Sequence, residues 1–402
     1  MPKRRLRRLA LGLGALAALT LVAPPAASAA NTDEPMSPGC RPVDTTVPSS
    51  VLEHQVVSIP GANLLNQGPL KIHGRLCLPP GGAPKTVLLA LHGITYTNSY
   101  WDVQYQPETY SFARQMMSAG YAVFAIDRLG YGRSDHPLSA LVTLDSQAEV
   151  AHQVLQQLKA GKIGATPFSH VVLVGHSYGS ATSWLESSEY NDADAAVTTG
   201  WGSTIETLPV ARFFSGFYPA VLDQKFASSG YDPGYLTPMP GARNQNFLYD
   251  LDNADPGLID YDQNTMRDTV TAGEGATFID REGAIPVTYL PTTSKELELP
   301  LSTHTKNIKV PMFLLDGVSD LFFCGADRQY CNSGKALQQH EGQFFSPAAC
   351  LQTAVMPNAG HDLNLQRNAQ QSYAVLRAWI DRAVGPTGAN VGTYRASCQP
   401  GS

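Results

Sequence analysis

The stretch VVLVGHSYGSATSWLE, residues 171–186, decides the fold of this chain. Its first four residues form an uninterrupted apolar run, which is typical of a strand buried on both faces, and the residues from 180 onward predict a helix. Gly175 and Gly179 stand on either side of Ser177, where a tight turn from strand to helix leaves no room for flanking side chains. The pattern predicts a Ser177 hydroxyl lifted clear of a sheet, with the N-terminus of a helix beneath it.

Short apolar runs alternate with amphipathic stretches on both sides of this turn. The predicted strands cover residues 51–59, 70–78, 86–91, 121–126, 170–174, 195–199, 310–315 and 351–356. The predicted helices cover residues 110–118, 147–160 and 369–383, and residues 31–50 are interpreted as an extended lead-in. Strands and helices in alternation predict an α/β fold, in which a mostly parallel sheet is covered by helices on both faces.

Two further motifs accompany the serine turn. The tetrapeptide Leu91-His92-Gly93-Ile94 ends the predicted strand at 86–91, and DRLGYGRS, residues 127–134, follows the strand at 121–126. With GHSYG at 175–179, these motifs make residues 86–382 resemble the α/β-hydrolase superfamily, of the capped serine esterase, lipase and peptidase type. The resemblance implies a mostly parallel sheet of the eight-stranded type, flanked by helices and carrying an inserted cap.

The resemblance also implies partners for Ser177, because a serine hydroxyl is a poor nucleophile until a base takes its proton. In the family the acid and then the histidine follow the serine along the chain. His361 stands in NAGHD after the strand at 351–356, and Asp320 stands in GVSD after the strand at 310–315. We therefore expect Ser177, Asp320 and His361 to form a catalytic triad, with Asp316 at the end of its strand as the rival acid.

The negative charge that develops on a carbonyl oxygen during acyl transfer needs fixed donors, usually backbone N–H groups. By resemblance, these donors are the amides of Tyr178, directly after the nucleophile, and Ile94, directly after the His92-Gly93 pair. The His92 side chain is interpreted as a structural hydrogen-bonding group.

Residues 203–308 interrupt the alternation of strands and helices. They are rich in Gly, Pro and Asp and contain many aromatic residues, among them Phe213, Phe214 and Phe226. A structureless loop of this length is uncommon inside a compact domain. We interpret the segment as a cap or lid, inserted in a catalytic domain that comprises residues 31–202 and 309–402.

The first thirty residues have the layout of a secretory signal peptide. Five basic residues between Lys3 and Arg8 precede an apolar run at 9–23, and small residues follow at 26–30. The apolar run is shorter than the roughly 20 residues that span a bilayer. The sequence therefore predicts export without a stable membrane anchor, and leaves open the Sec and twin-arginine routes.

Charge and cysteine content fit an extracellular protein. The net charge of −6 becomes −11 without the signal, because that segment holds five basic and no acidic residues. An acidic surface repels phosphate backbones, which argues against nucleic acid as a partner. The six cysteines suggest disulfides; fifteen full pairings are open, with Cys324–Cys331 favoured as a local loop and Cys40–Cys77 as a tie between the lead-in and a strand.

Serine at the nucleophile position favours acyl transfer to water. Carboxylic esters, as small molecules or derived from a polymer, are the first interpretation, with a lactone as a further possibility. The alternatives are a proline-cleaving exopeptidase, whose cap would supply an acidic residue such as Glu206 or Glu274 for a free amine, and a non-catalytic binding protein. The ten histidines are scattered and lack metal-site spacing, so neither a metal nor a cofactor is expected. The oligomeric state stays open.

Overall fold

The computed structural model describes residues 34–53, 68–81, 84–164, 166–244, 247–277, 298–300, 304–325 and 330–398. The predicted signal peptide at 1–30 lies outside these ranges. Within them, no helix is both long and apolar enough to cross a membrane. The fold lies in a unit that runs from Pro35 to Ser402.

An eight-stranded sheet forms the centre of the fold. Its strands are β1 (Cys40–Val47), β2 (Leu70–Cys77), β3 (Thr86–Leu91), β4 (Ala122–Ile126), β5 (His170–His176), β6 (Ala195–Thr199), β7 (Met312–Gly317) and β8 (Gln352–Met356). They lie side by side in the order β1-β2-β4-β3-β5-β6-β7-β8. The pairs β1–β2 and β2–β4 are antiparallel, and every later pair is parallel. The predicted mostly parallel sheet is therefore confirmed.

The helices are α1 (Pro107–Tyr110), α2 (Phe112–Ser118), α3 (Leu144–Lys159), α4 (Tyr178–Glu189), α5 (Thr207–Phe214), α6 (Pro256–Tyr261), α7 (Ala272–Thr277), α8 (Gly334–Glu341), α9 (Ala369–Ala383) and α10 (Val391–Ser397). Helices α3 and α4 pack against each other and against β5, while α9 packs against α2 and β7. The helix predicted at 110–118 is divided at Ser111, whose extended backbone ends α1 and whose hydroxyl accepts the N–H of Arg114 to start α2.

The sequence of the central strands explains their position. All six residues of β3 are buried, as expected for a parallel strand covered on both faces. The predicted apolar stripe of the last helix is also buried, and Trp379 of α9 stacks on Phe313 of β7 with ring centroids 5.4 Å apart. Burial of each large apolar side chain contributes roughly 1.5–3 kcal/mol, so this stripe fixes α9 to the sheet.

The prediction for the first strand was wrong at its start, residues 51–52. The edge strand is Cys40–Val47, within the segment interpreted as a lead-in, whereas Val51 and Leu52 are buried in a short 3₁₀ turn. This strand contains Pro42, and a proline is tolerated in an edge strand because one side of that strand needs no ladder hydrogen bonds. Residues 54–59 of the predicted strand lie outside the described ranges.

Three disulfides link the six cysteines. Cys40 pairs with Cys77 across β1 and β2, and Cys324 pairs with Cys331, as both favoured pairings predicted. Cys350–Cys398 joins the approach to β8 to the end of α10.

The chain between β6 and β7, residues 203–308, is here termed the β6–β7 segment. Its described part contains α5, α6, α7 and a three-stranded antiparallel sheet formed by Phe217–Pro219, Tyr235–Pro238 and Val270–Thr271. Thr204–Glu206 pairs with Glu298–Pro300 at the two ends of the segment. This segment leaves from the carboxyl end of β6, the edge of the sheet where the loops after β3, β5, β7 and β8 also lie.

Candidate active site

Ser177 lies at the sharp turn between β5 and α4. Its φ of 52° and ψ of −122° are strained for a residue with a side chain, and the N-terminal turn of α4 begins at Tyr178. A Cβ on Gly175 would lie 2.5 Å from the Gly179 oxygen, and one on Gly179 would lie 2.1 Å from the Leu91 oxygen. Both glycines are therefore required by close backbone packing, as the sequence pattern predicts.

His361 and Asp320 form a buried pair beside this turn. The His361 Nδ1 atom lies 2.7 Å from Asp320 Oδ2, and the other carboxylate oxygen accepts the backbone N–H of Phe322 at 2.8 Å. Burial lowers the pKa of His361, but the charge of Asp320 and its hydrogen bond outweigh that effect, and the net pKa is raised above 6.5. This arrangement fixes the ring and stabilises its protonated form.

Asp316, the rival acid, has no contact of this kind with the histidine. It is the second-to-last residue of β7, is buried, and accepts the backbone N–H of Gly317 at 3.2 Å. Burial, together with the nearby charge of Asp320, raises the pKa of Asp316 well above its ordinary value. These surroundings favour the neutral form of Asp316, while Asp320 faces the imidazole.

The loop after β3 packs directly against the serine. A Cβ on Gly93 would lie 3.0 Å from the Ser177 Cβ, so a glycine lets the loop approach this closely without displacing the serine. Among the described residues, no group accepts the backbone N–H of Ile94. His92 Nε2 accepts the N–H of Arg128 at 3.0 Å, which leaves Nδ1 to donate to the Gly93 oxygen at 2.7 Å. Burial lowers the pKa of His92 well below 6.5, so this neutral ring is a structural element of the loop.

Ser177 and His361 line the same cavity. Apart from the polar groups at its base, the cavity wall is apolar and is formed by Ile94, Val210, Phe213, Phe214, Leu248, Phe322 and Phe323. Phe213 and Phe214 come from α5, whereas Phe322 and Phe323 lie two and three residues after Asp320 in sequence. Such a wall favours a neutral, apolar group beside the serine.

The chain neighbours of Ser177 and His361 also meet. His176 Nε2 lies 2.7 Å from Asp362 Oδ1, and the Tyr96 hydroxyl donates to Asp362 Oδ2 at 2.6 Å. All three side chains are buried, and the Tyr100 ring stacks on His176 at 4.4 Å. Gly200, with φ of +58°, makes room for both rings, because a Cβ there would lie 2.9 Å from His176 and 3.1 Å from His361.

Among the described residues, four groups of side chains have the donor types that bind metals, but the cysteines of two of them are joined in disulfides, which leaves two groups. His176, His361 and Asp362 form one group, and His152, Glu186 and Asp192 form another. In the first group one nitrogen of each ring is already engaged: His361 Nδ1 faces Asp320 and His176 Nε2 faces Asp362. These contacts make the first group a hydrogen-bonded network rather than a set of metal ligands.

Comparison with known proteins identifies the family. The model described as the alpha/beta hydrolase family matches residues 87–372. This chain belongs to the alpha/beta hydrolase family. No curated protein matches it in sequence. The match includes β3 to β8 and the described loops that carry Ser177, Asp320 and His361. It supports hydrolase activity as a general class of reaction.

Solved structures with the hydrolase fold are similar at low identity. A Rickettsia typhi protein classed as a hydrolase is 13% identical, with 85% of this chain and 99% of that chain covered and a TM-score of 0.50. An esterase from Thermogutta terrifontis is 14% identical, with coverages of 78% and 94% and a TM-score of 0.49. A monoglyceride lipase variant from Saccharomyces cerevisiae is 13% identical, with coverages of 79% and 93% and a TM-score of 0.46. The likeness to the Rickettsia typhi protein shows the fold alone.

Several features of this hydrolase site escaped sequence reasoning. No sequence spacing predicts the hydrogen bond between Asp362 and His176, although each residue is next to a predicted site residue. Phe322 and Phe323 were visible beside Asp320 but were not interpreted as cavity wall. Conversely, Phe226 lies in a separate small cluster with Ala220 and Tyr235, so only part of the aromatic content of the β6–β7 segment faces the cavity.

Proposed function

We propose that this protein is an exported serine hydrolase that cleaves carboxylic esters through an acyl-enzyme. Ser177 is the nucleophile, His361 the general base and acid, and Asp320 the residue that orients the imidazole. The backbone N–H groups of Ile94 and Tyr178 form the oxyanion hole. The observation that carries the proposal is the 2.7 Å contact between His361 and Asp320, at the wall of the cavity that Ser177 also lines.

Each step uses a group of this chain. The Ser177 hydroxyl attacks the acyl carbon while His361 Nε2 takes its proton, and the negative carbonyl oxygen is stabilised by the two backbone donors. The imidazolium then returns the proton to the departing alcohol, which leaves an ester on Ser177. Water, deprotonated by the same ring, attacks this ester and releases the acid. The proposed steps need only these residues and water.

The apolar cavity supports an ester with a hydrophobic acyl or alcohol group, either as a small molecule or derived from a polymer. The proline-cleaving exopeptidase would instead need an acidic group for a free amine. Glu274 is occupied, because its carboxylate accepts hydrogen bonds from Arg128, Tyr131 and Gln147. Asp362 is the acidic side chain in the cavity wall, and it is engaged with His176 and Tyr96. These contacts favour the ester.

The β6–β7 segment is proposed to act as the cap of this site. Val210, Phe213 and Phe214 reach the cavity from α5, and Leu248 reaches it from a later part of the segment. Aromatic side chains give a large contact area with few torsions to freeze, which suits a wall for acyl groups.

A covalent probe and a substrate panel test the proposal together. A fluorophosphonate should label Ser177 alone, and Ser177→Ala should abolish both labelling and turnover while the matched exposed-site variant Ser228→Ala keeps them. The panel contains p-nitrophenyl esters of two to twelve carbons, lactones and aminoacyl-proline anilides. Turnover of the anilides only, or turnover by Ser177→Ala equal to that of the parent, would overturn the proposal.

Export is tested by the mass of the protein recovered from the culture medium. We expect an N-terminus near Asn31 and a mass consistent with three disulfides, which alkylation before and after reduction will count. A secreted form that retains Met1 would contradict the proposed signal peptide.

A further inference from the structure

Thr95, the residue after Ile94, has an unusual backbone held by the β6–β7 segment. Its φ of 61° lies in the left-handed region, which is costly for a β-branched residue. Its N–H donates to the Thr269 oxygen at 2.9 Å, and its carbonyl accepts the N–H of Asp268 at 2.8 Å. Both peptide groups of Thr95 are thus fixed by a strand-like contact with residues 268–269.

Arg243 adds a second set of contacts to the same residue. Its guanidinium donates to the Thr95 carbonyl at 2.9 Å and to the Thr95 hydroxyl, and it lies 4.1 Å over the ring of Tyr96. Arg243, Thr95 and Tyr96 are all buried. Since Thr95 cannot relax towards an ordinary backbone without breaking these bonds, its neighbour Ile94 is restrained as well.

The guanidinium is itself fixed by a bidentate ion pair. Arg243 Nε lies 3.0 Å from Asp262 Oδ2, and a second guanidinium nitrogen lies 2.8 Å from Oδ1. The Tyr249 hydroxyl donates to the same carboxylate. Asp262 is fully buried and has no solvent to replace these donors, so the pair depends on the planar, five-donor geometry that only arginine provides.

We infer that Arg243, held by Asp262, is a positioning residue that keeps the Ile94 amide in place as an oxyanion donor. The inference rests on the proposed function, because it assigns the Ile94 N–H to the oxyanion hole. It means that the β6–β7 segment completes the catalytic machinery in addition to covering it. A preorganised donor accelerates the reaction because it needs no rearrangement when the charge develops.

The test compares Arg243→Met with Arg267→Met. Arg267 belongs to the same segment and forms a similar buried pair, at 2.8 Å to Asp223, but has no contact with Thr95. For one p-nitrophenyl ester, we expect Arg243→Met to lower kcat by about 10²-fold, the usual effect of losing one oxyanion donor, with KM changed less than about threefold. Arg267→Met should keep kcat within about threefold.

A transition-state analogue distinguishes a misplaced Ile94 amide from a general loosening of the β6–β7 segment. Phenylboronic acid forms a tetrahedral adduct with the serine, so its affinity should fall in Arg243→Met by about the same factor as kcat. Binding of the product carboxylate should change little. Equal losses of kcat in both methionine variants, or an unchanged kcat in folded Arg243→Met, would overturn the inference.

Two further variants keep the inference testable if Arg243→Met does not fold. Arg243→Lys retains a positive charge beside Asp262 but lacks the planar guanidinium with its several donors. We expect its kcat to fall by at least about tenfold while its circular dichroism spectrum stays that of the parent. Asp262→Asn should also lower kcat. Labelling of the parent protein distinguishes failure of the proposed function from failure of the positioning role. If the fluorophosphonate does not label the parent at Ser177, the proposed function fails. If the parent is labelled and Arg243→Lys is unimpaired, only the positioning role of Arg243 is overturned.

Discussion

His176 and Asp362 join the two loops of the candidate site through a hydrogen bond of 2.7 Å between His176 Nε2 and Asp362 Oδ1. His176 directly precedes Ser177, and Asp362 directly follows His361, so the bond fixes the nucleophile loop against the base loop. Burial lowers the pKa of His176, and the contact with His176 outweighs burial to lower the pKa of Asp362. These directions favour a neutral imidazole that donates to a carboxylate.

Asp362→Asn should damage both stability and turnover. The carboxylate accepts two donors, from His176 and Tyr96, whereas an asparagine side chain offers one acceptor oxygen and leaves a buried donor unsatisfied. Such a donor costs about 1–3 kcal/mol. We expect the free energy of unfolding to fall by that amount and kcat to fall about tenfold or more, measured by urea titration and ester turnover. The exposed Asp252→Asn serves as control, and an Asp362→Asn variant with the stability and kcat of this control would contradict the role.

The pH dependence should report the His361–Asp320 pair. The base must be neutral to accept a proton, and Asp320 raises the pKa of His361 above 6.5, so kcat/KM should be lost as pH falls through an apparent pKa above that value. Asp320→Asn should move this acidic limb to lower pH and reduce the plateau by about 10²–10⁴-fold. Asp316→Asn should leave the limb in place; the reverse pattern would make Asp316 the working acid.

The positions of the central strands and of the loops that carry the site follow from local signals, whereas the contacts between distant loops do not. The apolar run before Ser177 predicts a buried strand, and the two flanking glycines predict a tight turn. Both predictions need only neighbouring residues, because a buried strand requires apolar side chains and a tight turn requires small ones. The pairing of Arg243 with Asp262, and of both with Thr95, depends on how the β6–β7 segment folds back over β3. No periodicity encodes this. The edge strand at Cys40–Val47 was missed for a related reason: its partner, β2, defines it more than its own composition does.

Disulfide removal should separate stability from activity. In the loop-closure treatment, Cys350–Cys398 contributes about 4 kcal/mol and the shorter Cys324–Cys331 loop about 2 kcal/mol. Cys398→Ser should therefore lower the urea midpoint more than Cys331→Ser does. The Cys324–Cys331 link, however, follows Asp320 and the two cavity phenylalanines, and Cys324 donates its N–H to the Asp320 carbonyl at 3.0 Å. We expect Cys331→Ser to reduce kcat more than Cys398→Ser; the opposite ranking in activity would show that this link does not support the Asp320 loop.

Glu341 should make stability depend on pH near neutrality. This buried carboxyl accepts hydrogen bonds from Ser203 at 3.1 Å and 2.6 Å, and burial outweighs them to raise its pKa to about 7. Between about pH 4.5 and 7 the folded protein holds a proton that the unfolded chain releases, so this group lowers the free energy of unfolding as pH rises through that window. Glu341→Gln cannot titrate, and its stability relative to the parent should increase by up to about 3 kcal/mol from pH 4.5 to 8. Urea titrations check this, with exposed Glu53→Gln as control; a pH-independent difference would contradict it.

Phe213 should set the size of the acyl group that the cavity accepts. The ring is 5% exposed, lines the cavity opposite the serine turn, and contacts Phe322 with ring centroids 5.4 Å apart. Phe213→Ala removes the ring and enlarges the apolar space, so kcat/KM for decanoyl relative to acetyl p-nitrophenyl esters should rise about tenfold, since a few more buried methylene groups at about 0.8 kcal/mol each outweigh the lost packing.

The matched control for this change is Phe226→Ala. Phe226 is another buried aromatic of the β6–β7 segment, but it packs with Ala220 and Tyr235 away from the cavity. Its removal should lower the free energy of unfolding by about 3–5 kcal/mol, as truncation of a core phenylalanine does, and leave the ratio of decanoyl to acetyl activity unchanged. If both variants shifted this ratio equally, loosening of the segment would explain the effect. If neither did, the acyl group would have to occupy another surface, and the wall formed by Phe213 and Phe322 would have no part in substrate selection.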